Sequence, residues 1–415
     1  MTRAYGTLRE AGYAVARQGS GTWTQVPGGH ARGHDRALLP QPDRAAAIDL
    51  SCAAPASVPG LASAYAAAVA ALPAYLTGHG YFPLGLPELR EAIAARYRHR
   101  GLPTTSDQVL VTSGAIAAIA AAAHALLAPG DRTLVESPVY PNAVTSLRRA
   151  GARVVAVPVD PDGWDLDAVQ ATLRQAAPRA AYLIPDYQNP TGLMMDDAGR
   201  ARLGAALTRT RTTAIVDESH AELRLDDGPI PLPLAAHSPS AITIGGSSKA
   251  FWGGLRVGWL RVPDGQQARF TQARLGLDLG APILEQLVLA ELLTGPDADA
   301  TQQRRRLRQQ RDVLAGALAA RLPDWRFRLP GGGLSLWCRL PRPVAAALAV
   351  ECERRGLVIT PGSVFAPEGG LASFVRLPYT RSADDLLAAV EIVHAAWTAL
   401  DERRDVAEPV RILIA

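Results

Sequence analysis

One lysine stands among the 43 basic residues of this sequence, in the stretch 245-GGSSKAFWGGLRVGW-259. Arginine stays protonated at any pH that a protein meets, whereas lysine can lose its proton and form a Schiff base. A surface charge can be either residue, but an imine-forming amine must be lysine. Lys249 is therefore a candidate nucleophile, although chance survival of one lysine in an arginine-biased composition would give the same count.

Two further polar side chains follow apolar segments that read as strands. Asp217, in 213-TAIVDESHAEL-223, stands where a parallel strand would end, and such ends form the ligand-binding edge of α/β sheets. Its carboxylate could pair with a buried cationic nitrogen or simply cap the next turn. Asn189, in 185-PDYQNPTG-192, could direct its amide at a ligand or belong to an ordinary proline turn.

A possible anion site follows another strand, in 112-TSGAIAAIAAAAHAL-126. Ser113, Gly114 and Ala115 would present backbone N–H groups at a helix N-terminus, where anions bind well, unless this is an ordinary strand-to-helix turn. Arg256 lies seven residues after Lys249 and is suited to bind a phosphate with two parallel hydrogen bonds.

Alternating strands and helices must position these residues. Short apolar runs predict buried strands, with helices at 86–99, 115–127 and 198–208 between them. The predicted strands are 109–112, 133–136, 153–157, 180–184, 212–217, 241–244 and 258–262. This alternation is typical of α/β proteins, in which helices cover both faces of a mainly parallel sheet. From about residue 300 the pattern changes to a smaller α+β segment.

Composition narrows the class of protein. With 415 residues, 48% hydrophobic and 20% charged, the chain can form two soluble globular domains. It has no apolar run long enough for a membrane span, no signal-peptide pattern, and three scattered cysteines without metal-ligand spacing. We therefore expect a cytoplasmic protein without a metal site. The arginine run 302-QQRRRLRQQR-311 reads as a solvated helix face rather than a nucleic-acid patch, because no aromatic residues interleave it.

Taken in this order, the motifs resemble those of fold-type I enzymes that depend on pyridoxal 5′-phosphate (PLP). The sequence is similar to the aminotransferase class I/II group and most of all to the aminotransferase-like domain of MocR-type GntR regulators. The resemblance covers about residues 49–400. It implies a large domain (76–300) with a mainly parallel seven-stranded sheet, a smaller α+β domain (301–400), a segment (49–75) packing on the small domain, and a tail (401–415).

The resemblance also implies roles for individual residues. Lys249 would hold PLP as a Schiff base and move the Cα proton of an α-amino acid, and Arg376, in 374-FVRLPY-379, would bind the substrate carboxylate. Asp217 would keep the pyridine nitrogen protonated, Asn189 would bind the ring O3′, and Tyr140 would stack on the ring. The phosphate would be held by Ser113, Gly114, Ala115, Ser247 and Arg256.

Two more tyrosines enter through the same resemblance. Tyr81, in 78-GHGYFPLGLPELR-90, matches a tyrosine that reaches the phosphate of the neighbouring subunit, which implies a homodimer with shared active sites. Tyr187 would line the substrate pocket.

The sequence departs from the family after Asp217. A tyrosine that donates to O3′ usually follows two or three residues later, but here Ser219 and His220 occupy those positions. Ser219 would contact the cofactor as a shorter donor, and His220 would be a donor, a second base or a structural residue near the substrate. An aminotransferase is the leading interpretation. Racemisation, β/γ-elimination, γ-replacement or carbon–carbon bond formation, for example on S-adenosylmethionine, stays open.

The N-terminus departs as well. Residues 1–24 read as a helix and a hairpin with Gly19 and Gly21 at its tip, and 25–48 as a linker. They resemble the last helix and the wing of a winged helix-turn-helix whose earlier helices are missing. A wing alone lacks the scaffold that places a recognition helix in the major groove, so we expect no specific DNA binding. The alternatives are a truncated PLP-sensing regulator and a gene start that lies upstream.

Overall fold

The structure is a computed structural model that describes residues 14–17, 21–24, 48–295 and 301–406. It divides into a unit of residues 1–46 and a unit of residues 47–415. In the first unit, strands β1 (Ala14–Arg17) and β2 (Gly21–Thr24) form an antiparallel hairpin in which Arg17 pairs with Gly21. The expected helix before this hairpin, Gly19 and the linker to residue 47 lie outside the described residues. The winged-helix interpretation stays a prediction.

The second unit alternates helices and strands along most of its length. Its strands are β3 (Ile48–Asp49), β4 (Val109–Thr112), β5 (Arg132–Ser137), β6 (Arg153–Asp160), β7 (Gly163–Trp164), β8 (Ala180–Leu183), β9 (Thr213–Asp217), β10 (Ile242–Gly246), β11 (Gly258–Arg261), β12 (Ser335–Arg339), β13 (Leu357–Val358), β14 (Thr360–Pro361) and β15 (Phe374–Pro378).

The helices cover both faces of the large sheet and the outer side of the small one. They are α1 (Leu61–Ala71), α2 (Pro87–His99), α3 (Ala115–Leu126), α4 (Pro141–Arg149), α5 (Leu166–Ala176), α6 (Asp197–Thr210), α7 (Leu234–His237), α8 (Ser247–Ala250), α9 (Gln267–Leu275), α10 (Ile283–Thr294), α11 (Thr301–Arg321), α12 (Ala345–Arg354) and α13 (Ala383–Val406).

The large sheet has the strand order β4-β11-β10-β9-β8-β5-β6-β7. Neighbours from β10 through β6 pair in parallel, while β11 runs antiparallel to both β10 and β4. All seven predicted strands are present, so the expected α/β fold is confirmed. In the described residues the sheet has eight strands rather than seven, because the two-residue β7 folds back on the end of β6. Gly163 and Trp164 form too short a run to predict a strand from sequence.

Burial explains why the sheet lies at the centre. Strands β4, β8 and β11 are buried along their whole length, as expected for strands covered on both faces. One apolar cluster on the sheet includes α2 and α10, and another includes the alanine-rich α3. Because β8, β9 and β10 run parallel, Asp217 and the residues after Leu183 and Gly246 lie at the same edge.

The C-terminal lobe is built on a three-stranded antiparallel sheet of order β12-β15-β14. Its core also takes in Leu50 and Ala53, because β3 pairs in parallel with β13. Helix α1 follows and packs on α10 of the large domain. The expectation that the whole segment 49–75 packs on the small domain is therefore wrong for α1. The chain between β3 and α1 therefore passes from one lobe to the other, directly beside the predicted site.

Candidate active site

Lys249 lies in the short helix α8, which begins where β10 ends. Its Nζ donates a hydrogen bond to the carbonyl oxygen of Ala53, 2.7 Å away. Desolvation by the surrounding protein lowers the pKa of this ammonium, with Cys52 acting in the opposite direction and Arg376 in the same direction. A lowered pKa makes the neutral, nucleophilic amine more accessible, which suits Schiff-base chemistry.

Asp217 ends β9 and is buried. Two donors hold its carboxylate: the Tyr182 hydroxyl lies 2.6 Å from Oδ2 and the Ser219 backbone N–H lies 2.9 Å from Oδ1. These two bonds fix the orientation of the carboxylate, which suits it to pair with a protonated ring nitrogen.

Arg376 projects from the middle of β15 into the interior between the lobes. Its guanidinium lies over the Phe365 ring at 4.8 Å, donates to the Ser51 carbonyl, and lies 3.3 Å from Asn189 Oδ1. Nε has no hydrogen-bond partner among the described residues, and burial lowers the pKa of the group to about 10. A buried cation with an unused donor is a site for a carboxylate.

The N-terminus of α3 forms the other end of the site. Gly114 precedes α3 with φ +95°, and a Cβ on Gly114 would lie 2.6 Å from Nη2 of Arg256. A Cβ on Gly258 would lie 2.6 Å from the backbone nitrogen of Ala115, so glycine lets the strand approach the helix closely. The first amides of α3 and the Arg256 guanidinium therefore meet in one place, which suits a phosphate.

The serines around this place differ in their contacts. Ser247 donates its hydroxyl to the Val257 carbonyl at 2.8 Å and is fully buried. Ser248, which sequence analysis did not single out, accepts from Arg256 Nη1 at 3.2 Å. The Ser113 hydroxyl is partly buried, 3.5 Å from Asp278 Oδ2. Of the three, Ser248 has the hydroxyl in contact with the arginine.

Tyr140 stands immediately before α4 and accepts a hydrogen bond from the Asn142 amide at 3.1 Å. Burial raises the pKa of its hydroxyl, and Asp217 and Arg376 both act on it electrostatically. Tyr140 therefore shares its surroundings with the carboxylate and the guanidinium of the site, as sequence analysis expects of the ring-stacking residue.

Three residues named from the sequence lie outside this group. The Ser219 hydroxyl is buried without a partner among the described residues, and the residue lines a shallow pocket beside Arg96, Arg100 and Glu218. The Tyr187 ring packs against Gly332, and Tyr81 is 58% exposed and stacks on His79. In the single chain, none of these three side chains makes a hydrogen bond to Lys249, Asp217 or Arg376 in the part of the protein that the structure describes.

His220 is buried, and its Nδ1 lies 2.9 Å from the carbonyl oxygen of Tyr187. Because a carbonyl only accepts, Nδ1 carries the proton in this contact. Burial lowers the pKa of the imidazole to about 4, so His220 is neutral at neutral pH and its Nε2 is left as an acceptor. A tyrosine at the same position would offer a hydrogen-bond donor. Histidine at position 220 therefore replaces a donor with an acceptor at this part of the site.

The contact of Arg376 and Lys249 with residues 51–53 could not be read from the sequence. This segment carries no charge or motif, and it reaches the site only because β3 pairs with β13 far along the chain. Tyr182 was missed for a similar reason: a tyrosine in an apolar strand reads as core until its neighbour in the sheet is known. A search for alternating polar and apolar residues would not single out Tyr182, since β8 is buried on both faces.

Comparison with known proteins supports the class that this geometry defines. The model of the family "Aminotransferase class I and II" matches residues 64–393. A 2-aminoadipate transaminase of Thermus thermophilus is 31% identical over 280 residues, which is 66% of this chain and 70% of that protein. An uncharacterized HTH-type transcriptional regulator of Bacillus subtilis is 28% identical over 310 residues, 73% of this chain but only 64% of that protein.

The same class appears among solved structures. The α-aminoadipate aminotransferase LysN of Thermus thermophilus, complexed with N-(5′-phosphopyridoxyl)-L-leucine, superposes with a TM-score of 0.78 at 27% identity and covers 90% of this chain and 98% of that one. Fold and site thus define a PLP-dependent transferase of fold type I. The chain belongs to the aminotransferase class I and II family, and PLP is its cofactor.

The residues present fit PLP. The glycine at 114 leaves the space next to Arg256 that a Cβ would fill, and α3 supplies free amides there. Asp217 supplies the buried anion and Lys249 the amine with a lowered pKa. Within the described residues no helix is long and apolar enough to cross a membrane, and no cluster of possible metal ligands is found.

Proposed function

We propose that the protein transfers the amino group of an α-amino acid to a 2-oxo acid, with Lys249 as the residue that carries the cofactor and moves the proton at Cα. The observation that carries this proposal is the convergence of Lys249 and Arg376 on one short segment, through the carbonyls of Ala53 and Ser51. Residues two apart span at most about 7 Å. The amine that would carry the cofactor and the guanidinium that would bind a carboxylate therefore lie at the same segment, as an α-amino acid substrate requires.

The proposed roles follow from the contacts described above. When bound, PLP supplies an electron sink for the charge that develops at the substrate Cα. Asp217, oriented by Tyr182, holds the ring nitrogen protonated. Asn189 contacts both the cofactor O3′ and Arg376, which fixes the guanidinium next to the ring.

Arg376 binds the substrate carboxylate by exchanging the Ser51 carbonyl for two carboxylate oxygens. The carboxylate also satisfies Nε, which otherwise has no partner among the described residues. Lys249, once released from Ala53, would take the proton from the substrate Cα and hold it at Nζ. Desolvation lowers the pKa of this group and so favours the neutral amine that this role requires.

The phosphate is proposed to lie at the N-terminus of α3 with the amide of Ala115, the Ser113 hydroxyl and Arg256. Gly114 contributes space at this place, while its own amide donates to the Thr112 carbonyl at 2.8 Å. Ser247 supports this cup by fixing the backbone at Val257, while Ser248 contacts Arg256. Tyr140 covers the ring.

We further propose a homodimer in which Tyr81 completes the partner's phosphate site. The support is its position: Tyr81 is 58% exposed, and the nearby segment after α9 exposes Leu277 and Leu279. Arg274 donates to the Pro83 carbonyl and so ties that segment to the loop that carries Tyr81. An exposed apolar surface of this kind is typical of a protein interface. The three cysteines carry free thiols, and we propose a cytoplasmic location.

A half-reaction tests the proposal. An amino acid added to the holoenzyme should change the absorption of the Lys249-bound cofactor and release a 2-oxo acid, and a second 2-oxo acid should restore the spectrum. Lys249→Ala is the control and should release no 2-oxo acid. A bound cofactor that turns over amino acids without releasing any 2-oxo acid would contradict transamination.

His220 favours one second candidate, a PLP reaction other than amino transfer. Its neutral imidazole offers an acceptor where a tyrosine offers a donor, and small changes of this kind select among racemisation, elimination, replacement and carbon–carbon bond formation. Mass spectrometry of products from single amino acids, S-adenosylmethionine included, separates the two: amino transfer requires a 2-oxo acceptor, whereas the other reactions proceed without one.

The relatives named as transcriptional regulators suggest a third candidate, a PLP-sensing regulator, supported by the hairpin at residues 14–24. We propose that the chain does not bind DNA specifically, because the two strands described at 14–17 and 21–24 do not by themselves place a recognition helix. A salt-sensitive and sequence-specific shift of upstream DNA by this chain would contradict that statement.

A further inference from the structure

A buried carboxylate and a buried amide stand behind the proposed cofactor ring, outside the set of residues discussed so far. Glu136, near the end of β5, is fully buried, and Gln188, immediately before Asn189, is 1% exposed. Their side chains are joined by a hydrogen bond of 3.1 Å from Gln188 Nε2 to Glu136 Oε2. Polar groups this deeply buried are costly unless they are fully hydrogen-bonded.

Glu136 accepts from three N–H groups. The Trp164 indole lies 2.8 Å from Oε1, and the Ile184 backbone N–H and the Gln188 amide lie 3.3 and 3.1 Å from Oε2. Each of the three partners is a donor, and donors of this kind favour the ionised carboxylate. Burial acts in the opposite direction and raises the pKa of Glu136 to about 7, while the three hydrogen bonds lower it.

Gln188 also forms hydrogen bonds with two loops. Its Nε2 also donates to the Pro138 carbonyl at 2.7 Å, two residues before Tyr140. Its Oε1 accepts from the backbone N–H of Thr191 at 3.1 Å and from the Thr191 hydroxyl at 2.8 Å, which closes the turn that carries Asn189. One amide therefore ties together the loops of two residues assigned to the cofactor ring.

We propose that Glu136 and Gln188 are positioning residues, which fix the positions of Tyr140 and Asn189 relative to each other at the cofactor ring. The inference rests on the proposed roles of Tyr140 and Asn189, and neither Glu136 nor Gln188 touches the substrate. The orientation of the Gln188 amide is set by Glu136, because a flipped amide would place its oxygen against the Glu136 carboxylate and its NH₂ against the Thr191 N–H.

The same loop reaches the carboxylate-binding arginine. Val139 donates its backbone N–H to the Phe365 carbonyl at 3.0 Å, and the Phe365 ring lies under the Arg376 guanidinium. A shift of the 138–140 loop therefore moves the surface on which Arg376 rests. This is why we expect the pair to act on the bound cofactor and not only on the fold.

Two variants and one matched control test the inference. Glu136→Gln keeps the shape but sets an NH₂ against two donors, and Gln188→Met keeps the length but removes every hydrogen bond of the amide. Glu351→Gln is the control, because Glu351 is also a buried carboxylate, paired with Arg354 and Arg355 in the small domain. For each purified apoprotein we measure the melting temperature, the PLP dissociation constant and the absorption spectrum of bound PLP against pH.

We expect all three variants to melt at lower temperature. Only Glu136→Gln and Gln188→Met should weaken PLP binding, by roughly tenfold or more as expected for broken buried hydrogen bonds, and shift the spectral titration. PLP constants within about twofold of wild type and an unchanged titration would overturn the proposal, as would equal changes in Glu351→Gln. If Glu136→Gln does not fold, Gln188→Met decides by the same criteria.

These readouts are independent of the reaction catalysed. A wild-type protein that binds PLP but transfers no amino group would contradict the proposed function and leave this inference standing. Wild-type PLP binding in both variants would contradict this inference alone.

Discussion

The Tyr182 hydroxyl donates a 2.6 Å hydrogen bond to Asp217 from the neighbouring parallel strand. The bond joins side chains of two paired strands. The sheet itself therefore orients the carboxylate that is proposed to pair with the ring nitrogen. Burial and Asp217 together raise the pKa of this tyrosine, which keeps its hydroxyl a donor at every physiological pH.

Tyr182→Phe should therefore weaken both the fold and the cofactor site. We expect the apoprotein to lose about 1–3 kcal/mol, the cost of leaving a buried carboxylate short of a donor, and PLP to bind more weakly. Urea unfolding and PLP titration measure the two effects. Tyr379→Phe is the control, because it removes a buried hydroxyl that donates to the Gly332 carbonyl at 3.2 Å, and it should lower stability while leaving PLP affinity unchanged.

Gly114→Ala should damage the phosphate site. Its Cβ would lie 2.6 Å from Arg256 Nη2, so the guanidinium must move, and we expect the PLP dissociation constant to rise by roughly tenfold or more. Gly130→Ala is the matched control, since Gly130 has a similar φ of +92° but nothing within 4 Å of the added atom. Equal PLP affinities in the two variants would contradict the proposed role of the space beside Arg256.

His220 should make the apoprotein sensitive to mild acid. Its pKa falls from 6.5 to about 4 on folding, so between these values the unfolded chain binds a proton that the folded chain does not. Stability from this group is complete above pH 6.5 and is lost as the pH falls to 4, by up to about 3 kcal/mol. Glu136, whose pKa is raised, acts with the opposite sign in a similar window, so the effect is read as a difference between variants.

The measurement is urea unfolding of wild-type and His220→Asn apoproteins at several pH values. The stability gap between them should narrow as the pH falls from 6.5 to 4. A constant gap would mean that folding does not lower the pKa of His220. His99→Asn, at an exposed position, should follow the wild type throughout.

Mixed dimers test the shared site. Tyr81→Ala should have little activity because its partner's phosphate site lacks a contact, and Lys249→Ala should have none. When the two are mixed and allowed to exchange, one site of each heterodimer holds an intact Lys249 and an intact Tyr81 of the partner, so we expect activity to return. Activity that stays at the sum of the separate variants would contradict the shared site.

The sheet could be foreseen from the sequence because each buried strand is a short apolar run bounded by turns. Val109–Thr112 begins and ends where the pattern predicts, and the others differ by one to three residues at their ends. Lys249 and Asp217 could also be found from the sequence, because each is a charged residue next to an apolar strand. Whether they serve the roles implied by the resemblance stays a prediction.

What could not be foreseen depends on contacts between distant parts of the chain. The carbonyls of Ser51 and Ala53 reach Arg376 and Lys249 across more than 190 positions, and a backbone carbonyl leaves no mark in a sequence. Glu136 and Gln188 are separated by 52 positions and each reads as an ordinary polar residue beside a turn. The two-residue β7 is fixed only by its partner in β6.

The cations at the site have one further consequence. Lys249, Arg256 and Arg376 converge on a place where the described anion is Asp217, and backbone carbonyls now hold two of them. An anionic cofactor relieves this repulsion, so it stabilises the folded chain by mass action. The fraction of protein that unfolds and meets a protease then falls as PLP becomes plentiful. Through the charges of these three side chains, the lifetime of the protein in a cell is tied to the supply of PLP.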